Sequence, residues 1–169
     1  MYSSSYMGRV AVLRVYLKSE EQGMARYFAR YQDGTFDLRS LARATYDFYD
    51  SLQKVITQYQ LADKKITVIG YSNGANLALN VLKEFEAVTF DYAFLFHPST
   101  VRPEVAFKPQ KELQVLITSG ANDPYISEEA FEALYQSLAD TNTKVDHYHH
   151  AYGHQLIREE LDRARALLK

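Results

Sequence analysis

The sequence predicts an α/β fold, with a mainly parallel sheet flanked by helices on both faces. Short apolar runs typical of strands alternate with longer runs that repeat apolar residues at helical spacing. One predicted strand, residues 90–96, is apolar at nearly every position, as expected for a strand covered on both faces. A chain of 169 residues is the size of one domain, so we expect residues 1–169 to form a single unit.

The predicted strands are short runs rich in β-branched and aromatic residues. The first covers residues 9–17, and the last, residues 144–150, alternates apolar and polar side chains. Residues 18–23 form a polar connection, and residues 24–31, rich in aromatic side chains and arginine, are expected to form a short helical turn. The remaining strands are predicted at residues 65–69, 90–96 and 113–118.

The predicted helices carry their own start signals. Residues 37–59 repeat apolar side chains at helical spacing, and Asp37 is a suitable N-cap. Residues 127–138 begin with Ser127, a second N-cap candidate, followed by two glutamates that suit the first turn of a helix. Two further helices are predicted at residues 75–85 and 155–168.

Composition excludes several classes of function. The net charge of −2 argues against binding to nucleic acid, and no apolar stretch is long enough to span a membrane. The first residues lack the basic region and apolar core of a secretory signal. The absence of cysteine excludes disulfides, thiolate metal sites and a cysteine nucleophile. We expect a cytoplasmic protein.

The most informative motif is the stretch from Gly70 to Gly74, which reads GYSNG. It follows a predicted strand and precedes a predicted helix, which is the context of a nucleophile elbow. Glycine at both ends allows a tight turn without Cβ clashes. The turn would hold the Ser72 hydroxyl clear of the sheet, where a base can reach it.

A serine nucleophile needs a base, and the base needs an orienting acid. In a parallel sheet, such groups are expected in loops just past the carboxyl ends of strands. Asp123 follows the predicted strand 113–118, and His154 follows the strand 144–150, with Gly153 freeing the backbone beside it. The order Ser72, Asp123, His154 is that of an α/β-hydrolase.

These residues predict acyl transfer to the Ser72 hydroxyl. His154 would accept the hydroxyl proton and later protonate the leaving alkoxide, while Asp123 would fix the imidazole tautomer. The backbone N–H of Asn73, at the start of a helix, would donate to the oxyanion. Tyr71, His97 and Tyr125 flank these positions and are weaker candidates for the wall of a substrate pocket.

A cluster of histidines invites other interpretations. His147 and His149 would face the same side of a strand, so a metal site is conceivable, but no partner at a ligand spacing is evident. We favour solvated histidines on an exposed edge strand and expect no metal ion. His149 and His150 could compete with His154 as the base, and Asp146 with Asp123, but residues inside a strand lie too far from the loop.

Several motifs together resemble the bacterial phospholipase/carboxylesterase family of α/β-hydrolases over residues 10–169. The resemblance implies a small serine esterase that acts on soluble carboxylic esters without a metal ion or an organic cofactor. Thioester or amide cleavage by the same triad stays open, because the acyl-enzyme chemistry is shared. The motifs are GMARYF at 23–28, GTFD at 34–37, GYSNGAN at 70–76, SGANDP at 119–124 and GH at 153–154.

The chain departs from that family at its start. The family begins with a central strand and a His-Gly-Thr-Gly-Gly-like loop that carries the second oxyanion donor, and neither has a counterpart here. We therefore expect an N-terminally shortened hydrolase fold: either the strands at residues 9–17 and 65–69 pair directly, or a partner fills the gap, or the sequence is truncated. Losing an oxyanion donor costs about 10²–10³-fold in turnover. The alternative is a catalytically impaired protein that acts as a binding or assembly subunit, with a homodimer formed through exposed sheet edges.

Overall fold

The computed structural model describes residue 12 and residues 19–21, 24–141 and 143–169. The strands are β1 (Ser19–Glu21), β2 (Met24–Arg26), β3 (Thr67–Tyr71), β4 (Tyr92–Phe96), β5 (Gln114–Gly120) and β6 (Lys144–His150). The helices are α1 (Leu38–Gln58), α2 (Asn73–Glu84), α3 (Glu128–Ala139) and α4 (Arg158–Leu167). In this part of the chain, no helix combines the length and the hydropathy that crossing a membrane requires.

The central sheet of the described residues has the strand order β3-β4-β5-β6, and all its neighbours are parallel. Each strand is joined to the next by a crossover, and α2 and α3 supply two of these connections. The carboxyl ends of all four strands therefore lie along one rim. A separate antiparallel hairpin joins β1 and β2.

Helices cover both faces of this sheet, as the sequence predicts. On one face, Ala93, Leu95, Val115 and Ile117 pack with residues of α2 and α3, and α1 contacts the same cluster. On the other face, Phe94, Phe96 and Leu116 pack with Ala164 and Leu167 of α4. Burying one large apolar side chain contributes about 1.5–3 kcal/mol. The two clusters hold the sheet between its helices and fix the rim on which the candidate site lies.

Most predicted elements are confirmed within a few residues. The strand at residues 144–150 has its predicted bounds, and Asp37 caps α1 by accepting from the backbone N–H groups of Arg39 and Ser40. Ser127 caps α3 in the same way. The predicted first strand, residues 9–17, lies outside the described residues except for Val12, which belongs to no strand.

The prediction of a helical turn at residues 24–31 is wrong. Residues Met24–Arg26 form β2, and the chain then runs irregularly. Side chains replace helical partners for the backbone here: Tyr27 N–H donates to Asn73 Oδ1 at 2.8 Å, and Ala29 N–H donates to Ser40 Oγ at 3.0 Å. Phe28 is fully buried in a cluster that ties this segment to α1 and α2.

Candidate active site

Ser72 lies at a sharp turn between β3 and α2. Its φ of 52° and ψ of −114° are rare for an L-residue and mark local backbone strain. A Cβ on Gly70 would lie 2.7 Å from the backbone nitrogen of Ala75, so this turn tolerates only glycine there. The Ser72 N–H donates to the carbonyl of Phe96 on β4 at 2.9 Å, which anchors the turn to the sheet. This is the geometry of a nucleophile elbow.

The predicted base and acid meet Ser72 at the same rim. His154 Nε2 lies 2.8 Å from Ser72 Oγ, and His154 Nδ1 lies 2.8 Å from Asp123 Oδ2. Asp123 is buried, while about a fifth of the His154 side chain is exposed (21%). The serine hydroxyl, the imidazole and the carboxylate form a continuous chain of hydrogen bonds, although they lie far apart in the sequence.

Backbone pairing between two loops places His154. Ala121 N–H donates to the carbonyl of His150 at 2.7 Å, and Asn122 N–H donates to that of Tyr152 at 3.0 Å. A Cβ at Gly120 would lie 2.2 Å from the Tyr152 oxygen and 2.3 Å from the Gly153 oxygen. The glycine that this arrangement needs is thus Gly120. The sequence predicts that Gly153 frees the backbone beside His154. However, Gly153 does not have a positive φ.

Asn73 is the first residue of α2. Its backbone N–H therefore has no acceptor within the helix and is available to an oxyanion. Its side chain has a structural task, because it accepts from Tyr27 N–H and donates to the Phe28 carbonyl at 3.4 Å. Asn73 thereby holds the segment after β2 against the elbow.

Tyr71 and Tyr125 both contact His154. The Tyr71 hydroxyl donates to the backbone carbonyl of His154 at 2.6 Å, so Tyr71 also restrains the loop that carries the base. The Tyr125 ring lies edge-on to the His154 ring, with centroids 4.7 Å apart. Both tyrosines line the cavity at the elbow.

His97 borders the cavity, although its side chain is almost fully buried and contacts Asp123. The expectation that it borders an acyl or leaving-group pocket stays a prediction, and the ring has a second set of contacts below the cavity surface. His97 Nδ1 lies 2.9 Å from Asp123 Oδ2, and Nε2 lies 3.1 Å from Glu160 Oε1. Sequence reasoning missed Glu160, although helical spacing puts it on the same buried face of α4 as Ala164.

Hydrogen bonds keep both buried carboxylates ionised. Burial alone would raise the pKa of Asp123, but hydrogen bonds from His97, the Tyr125 N–H and His154 outweigh it and lower that pKa. The pKa of Glu160 is lowered in the same way, against burial, by His97, Thr118 and the Ile157 N–H. An ionised Asp123 is the state that can orient His154 and stabilise its protonated form.

Among the residues that the structure describes, two groups of side chains have metal-compatible spacing: His97 with His150 and Glu160, and His97 with Asp123 and His154. The first group does not suit a metal ion. Tyr152 N–H donates to His150 Nδ1 at 3.1 Å, so the hydrogen of this neutral imidazole is on Nε2, the atom that faces the others. In the second group, Asp123 and His154 already form the hydrogen bonds of the candidate triad.

The histidines of β6 differ from the solvated set that the sequence suggested. His147 is exposed, but both ring nitrogens of His149 are buried, and its ring packs 5.8 Å from that of Phe131. The Phe131 ring belongs to α3, so this helix covers His149 and shields it from solvent. His150 is buried and points towards His97 and Glu160 rather than Ser72.

A cavity of about 510 Å³ opens at the elbow. Two arginines lie on its wall, Arg26 of β2 and Arg30, whose guanidinium lies 5.7 Å from the centre of the Tyr125 ring. Aromatic side chains supply much of the remaining wall. Among the described residues that line the cavity, none is acidic. The hydroxyl of Ser72 therefore faces a space large enough for a small molecule, in partly cationic surroundings.

Comparisons with known proteins identify the family of the chain. The dienelactone hydrolase family matches residues 7–165. The protein MhqD of Bacillus subtilis (strain 168), whose name calls it a hydrolase provisionally, is 32% identical over 149 residues, which cover 88% of this chain and 74% of MhqD.

Solved structures show the same fold. A carboxylesterase of Bacillus cereus is 31% identical with a TM-score of 0.82, over 90% of this chain and 71% of that one. YahD, solved with malic acid, is 30% identical with a TM-score of 0.75, over 87% of this chain and 73% of that one. From these matches and the α/β-hydrolase architecture described above, the chain belongs to the dienelactone hydrolase family.

Proposed function

We propose that this protein is a serine hydrolase that cleaves small carboxylic esters through an acyl-enzyme intermediate. The observation that carries the proposal is the hydrogen-bonded chain from Ser72 Oγ through His154 to Asp123, with both distances at 2.8 Å. The family is one of hydrolases, and a solved relative is named a carboxylesterase. The ester specificity and the role of each residue are our inference.

The geometry supports acylation of Ser72 followed by hydrolysis of the acyl-enzyme. Ser72 Oγ attacks the acyl carbon while His154 Nε2 takes the hydroxyl proton. The backbone N–H of Asn73 donates to the oxyanion that forms, and Asp123 stabilises the imidazolium. His154 then gives its proton to the leaving alkoxide. Water, deprotonated by the same imidazole, attacks the acyl group. As the bond from the acyl carbon to Ser72 Oγ breaks, His154 returns the proton to Oγ and the carboxylic acid is released.

The cavity supports a narrower substrate class. Arg26 and Arg30 place two cationic groups on the wall that Ser72 faces. Guanidinium groups bind carboxylates through strong, charge-assisted hydrogen bonds. The relative YahD was solved with malic acid, a dicarboxylic acid. We therefore favour esters that carry a free carboxylate in addition to the ester group.

Labelling with a fluorophosphonate tests the proposed chemistry, because this probe reacts with activated serines. The folded protein should label, and Ser72→Ala should abolish both labelling and hydrolysis of p-nitrophenyl acetate. Ser99→Ala is a matched control, since Ser99 lines the same cavity but bonds to Asn76. A folded protein that neither reacts with the probe nor hydrolyses the ester would refute the proposal. It would favour the alternative function, that of a binding or assembly subunit.

A further inference from the structure

A buried polar cluster lies beneath the candidate triad. It brings together one side chain from each of four places: His97 after β4, Asp123 after β5, His150 at the end of β6 and Glu160 in α4. Their exposed fractions are 1%, 8%, 5% and 0%, respectively. Ionisable groups are rarely buried this completely unless they are paired. The proposed chemistry uses only Asp123, so the other three need an explanation.

The hydrogen bonds around the cluster identify which atoms accept. Both oxygens of Glu160 accept hydrogen bonds: Ile157 N–H, which can only donate, bonds to Oε2 at 2.7 Å, and the Thr118 hydroxyl bonds to Oε1. These bonds lower the pKa of Glu160 and favour its ionised form. Asp123 Oδ1 accepts from Tyr125 N–H at 2.9 Å. Glu160 and Asp123 are therefore both carboxylates. His150 accepts at Nδ1 from Tyr152 N–H, so it is a neutral imidazole with its hydrogen on Nε2.

His97 lies between the two carboxylates. Its Nδ1 is 2.9 Å from Asp123 Oδ2 and its Nε2 is 3.1 Å from Glu160 Oε1. A neutral imidazole carries one hydrogen and would turn a lone pair towards one of these oxygens. Both nitrogens can donate only if the ring is doubly protonated.

We propose that His97 is an imidazolium that joins Asp123 to Glu160, and that it positions Asp123 for His154. The catalytic half of this proposal rests on the proposed function, whereas the charge state of His97 does not. Asp123 Oδ2 accepts from both His97 and His154, so the two rings fix the direction of one oxygen. The hydrogen-bonded chain then runs from Ser72 through His154, Asp123 and His97 to Glu160.

The charges of these hydrogen-bonded side chains suit the proposed reaction. Two carboxylates and one imidazolium leave one excess negative charge, and the proton that His154 takes from Ser72 neutralises it. The backbone of His97 has a φ of 52°, in the left-handed region that non-glycine residues adopt infrequently.

The two carboxylates that face His97 favour a cationic ring. His150 Nε2 lies 3.3 Å from His97 Nε2 and 3.6 Å from Glu160 Oε2, so a cationic His97 requires the hydrogen on His150 Nε2 to point to Glu160. Burial would lower the pKa of His97, but the hydrogen bonds to Glu160 and Asp123 outweigh it and raise that pKa. Burial lowers the pKa of His150, which keeps this neighbour neutral. The other rings that face His97 are Tyr71 and His154, with centroids at 5.8 Å and 5.2 Å.

The charge state can be measured without any turnover. In protein labelled with ¹⁵N-histidine, one of the five imidazoles should keep both nitrogens protonated at about pH 8, where an ordinary histidine is neutral. His97→Asn should remove that signal. His147→Asn is the matched control, because His147 is exposed on β6, and it should leave the signal in place. Five neutral rings, or a signal that survives His97→Asn, would overturn the imidazolium.

Kinetics test the positioning role. His97→Asn keeps a donor near Asp123 but loses the link to Glu160, and Glu160→Gln removes the distant charge. Each should lower kcat about 10- to 100-fold with KM changed less than about twofold, because a small misplacement of a reacting group has a large effect on rate. Folded variants with wild-type kcat would contradict positioning. An inactive wild-type protein would refute the proposed function instead, and the histidine spectrum would still decide the charge of His97.

Discussion

Single residues decide how much of the candidate site is visible from the sequence. Ser72 and Gly70 belong to a compact motif whose local geometry forces the turn, so sequence alone predicts the elbow. His97 and Glu160 are in contact although 63 positions separate them in the sequence. No short motif records such a contact. The helical spacing of α4 marks Glu160 only as a residue on the buried face.

The arginines of the cavity wall give a prediction at this scale. Arg26→Gln or Arg30→Gln should lower kcat/KM for an ester that carries a carboxylate by about 10- to 100-fold, the equivalent of one charge-assisted hydrogen bond. The same variants should leave kcat/KM for the corresponding neutral diester nearly unchanged. Steady-state kinetics on monoethyl and diethyl succinate would measure both.

Arg165→Gln is the control for this comparison, because Arg165 is exposed on α4 and outside the cavity. It should change neither substrate's kinetics. Equal losses for the charged and the neutral ester would show that the arginines act on the shape of the cavity and not through their charge.

At the scale of elements, strand ends explain why the catalytic candidates could be found in order. Asp123 and His154 follow β5 and β6, and parallel strands bring their carboxyl ends to one rim. The segment after β2 could not be predicted, because its backbone N–H groups bond to the side chains of Asn73 and Ser40, which lie 46 and 11 positions away along the chain. Short irregular segments whose partners are distant have no periodic signal.

The close contact at Gly120 predicts that a larger residue there lowers kcat. Gly120→Ala would push a methyl group against the carbonyls of Tyr152 and Gly153, at 2.2 Å and 2.3 Å, so the His154 loop must move. We expect kcat to fall about 100-fold or more, since about 1 Å of misplacement can have that effect. Gly153→Ala is the matched variant, because its nearest contact is Asn122 O at 3.3 Å. It should lose much less activity, and the reverse ranking would contradict this account of the loop.

At the scale of the whole molecule, the buried cluster couples the closing helix to the sheet. Glu160 of α4 bonds to Thr118 of β5 and to His97 after β4, so charge pairing and apolar packing act together on this face. The sequence predicts the alternating architecture and its parallel sheet because these depend on local periodicity. The prediction of an N-terminally shortened fold concerns residues that the structure does not describe, and it stays a prediction.

This coupling predicts how stability depends on pH. Glu160 and Asp123 have lowered pKa values in the folded state, so their contribution is present above the ordinary values of 4.5 and 3.8 and is lost on acidification. His97 has a raised pKa, so its contribution is present below its ordinary value of 6.5 and is lost as the pH rises through the raised value. The melting temperature should therefore be highest between these limits and fall on both sides.

Glu160→Gln should lower the free energy of unfolding at pH 6 by about 1–3 kcal/mol, and the difference from wild type should shrink on acidification. Glu159→Gln, at the exposed neighbouring position, is the control and should have little effect. Denaturant unfolding at several pH values measures both variants. A constant difference across the acid range would contradict an ionised Glu160.

Acylation of Ser72 is the most direct test of the central claim that an activated serine attacks an ester. The protein would be mixed with p-nitrophenyl acetate, quenched in acid within the first turnover and digested, and the modified peptide would be sequenced by mass spectrometry. We predict an acetyl group on Ser72, formed together with a burst of nitrophenol and absent from His154→Ala. An acetyl group on any other residue, or turnover that leaves Ser72 unmodified at every quench time, would contradict the account.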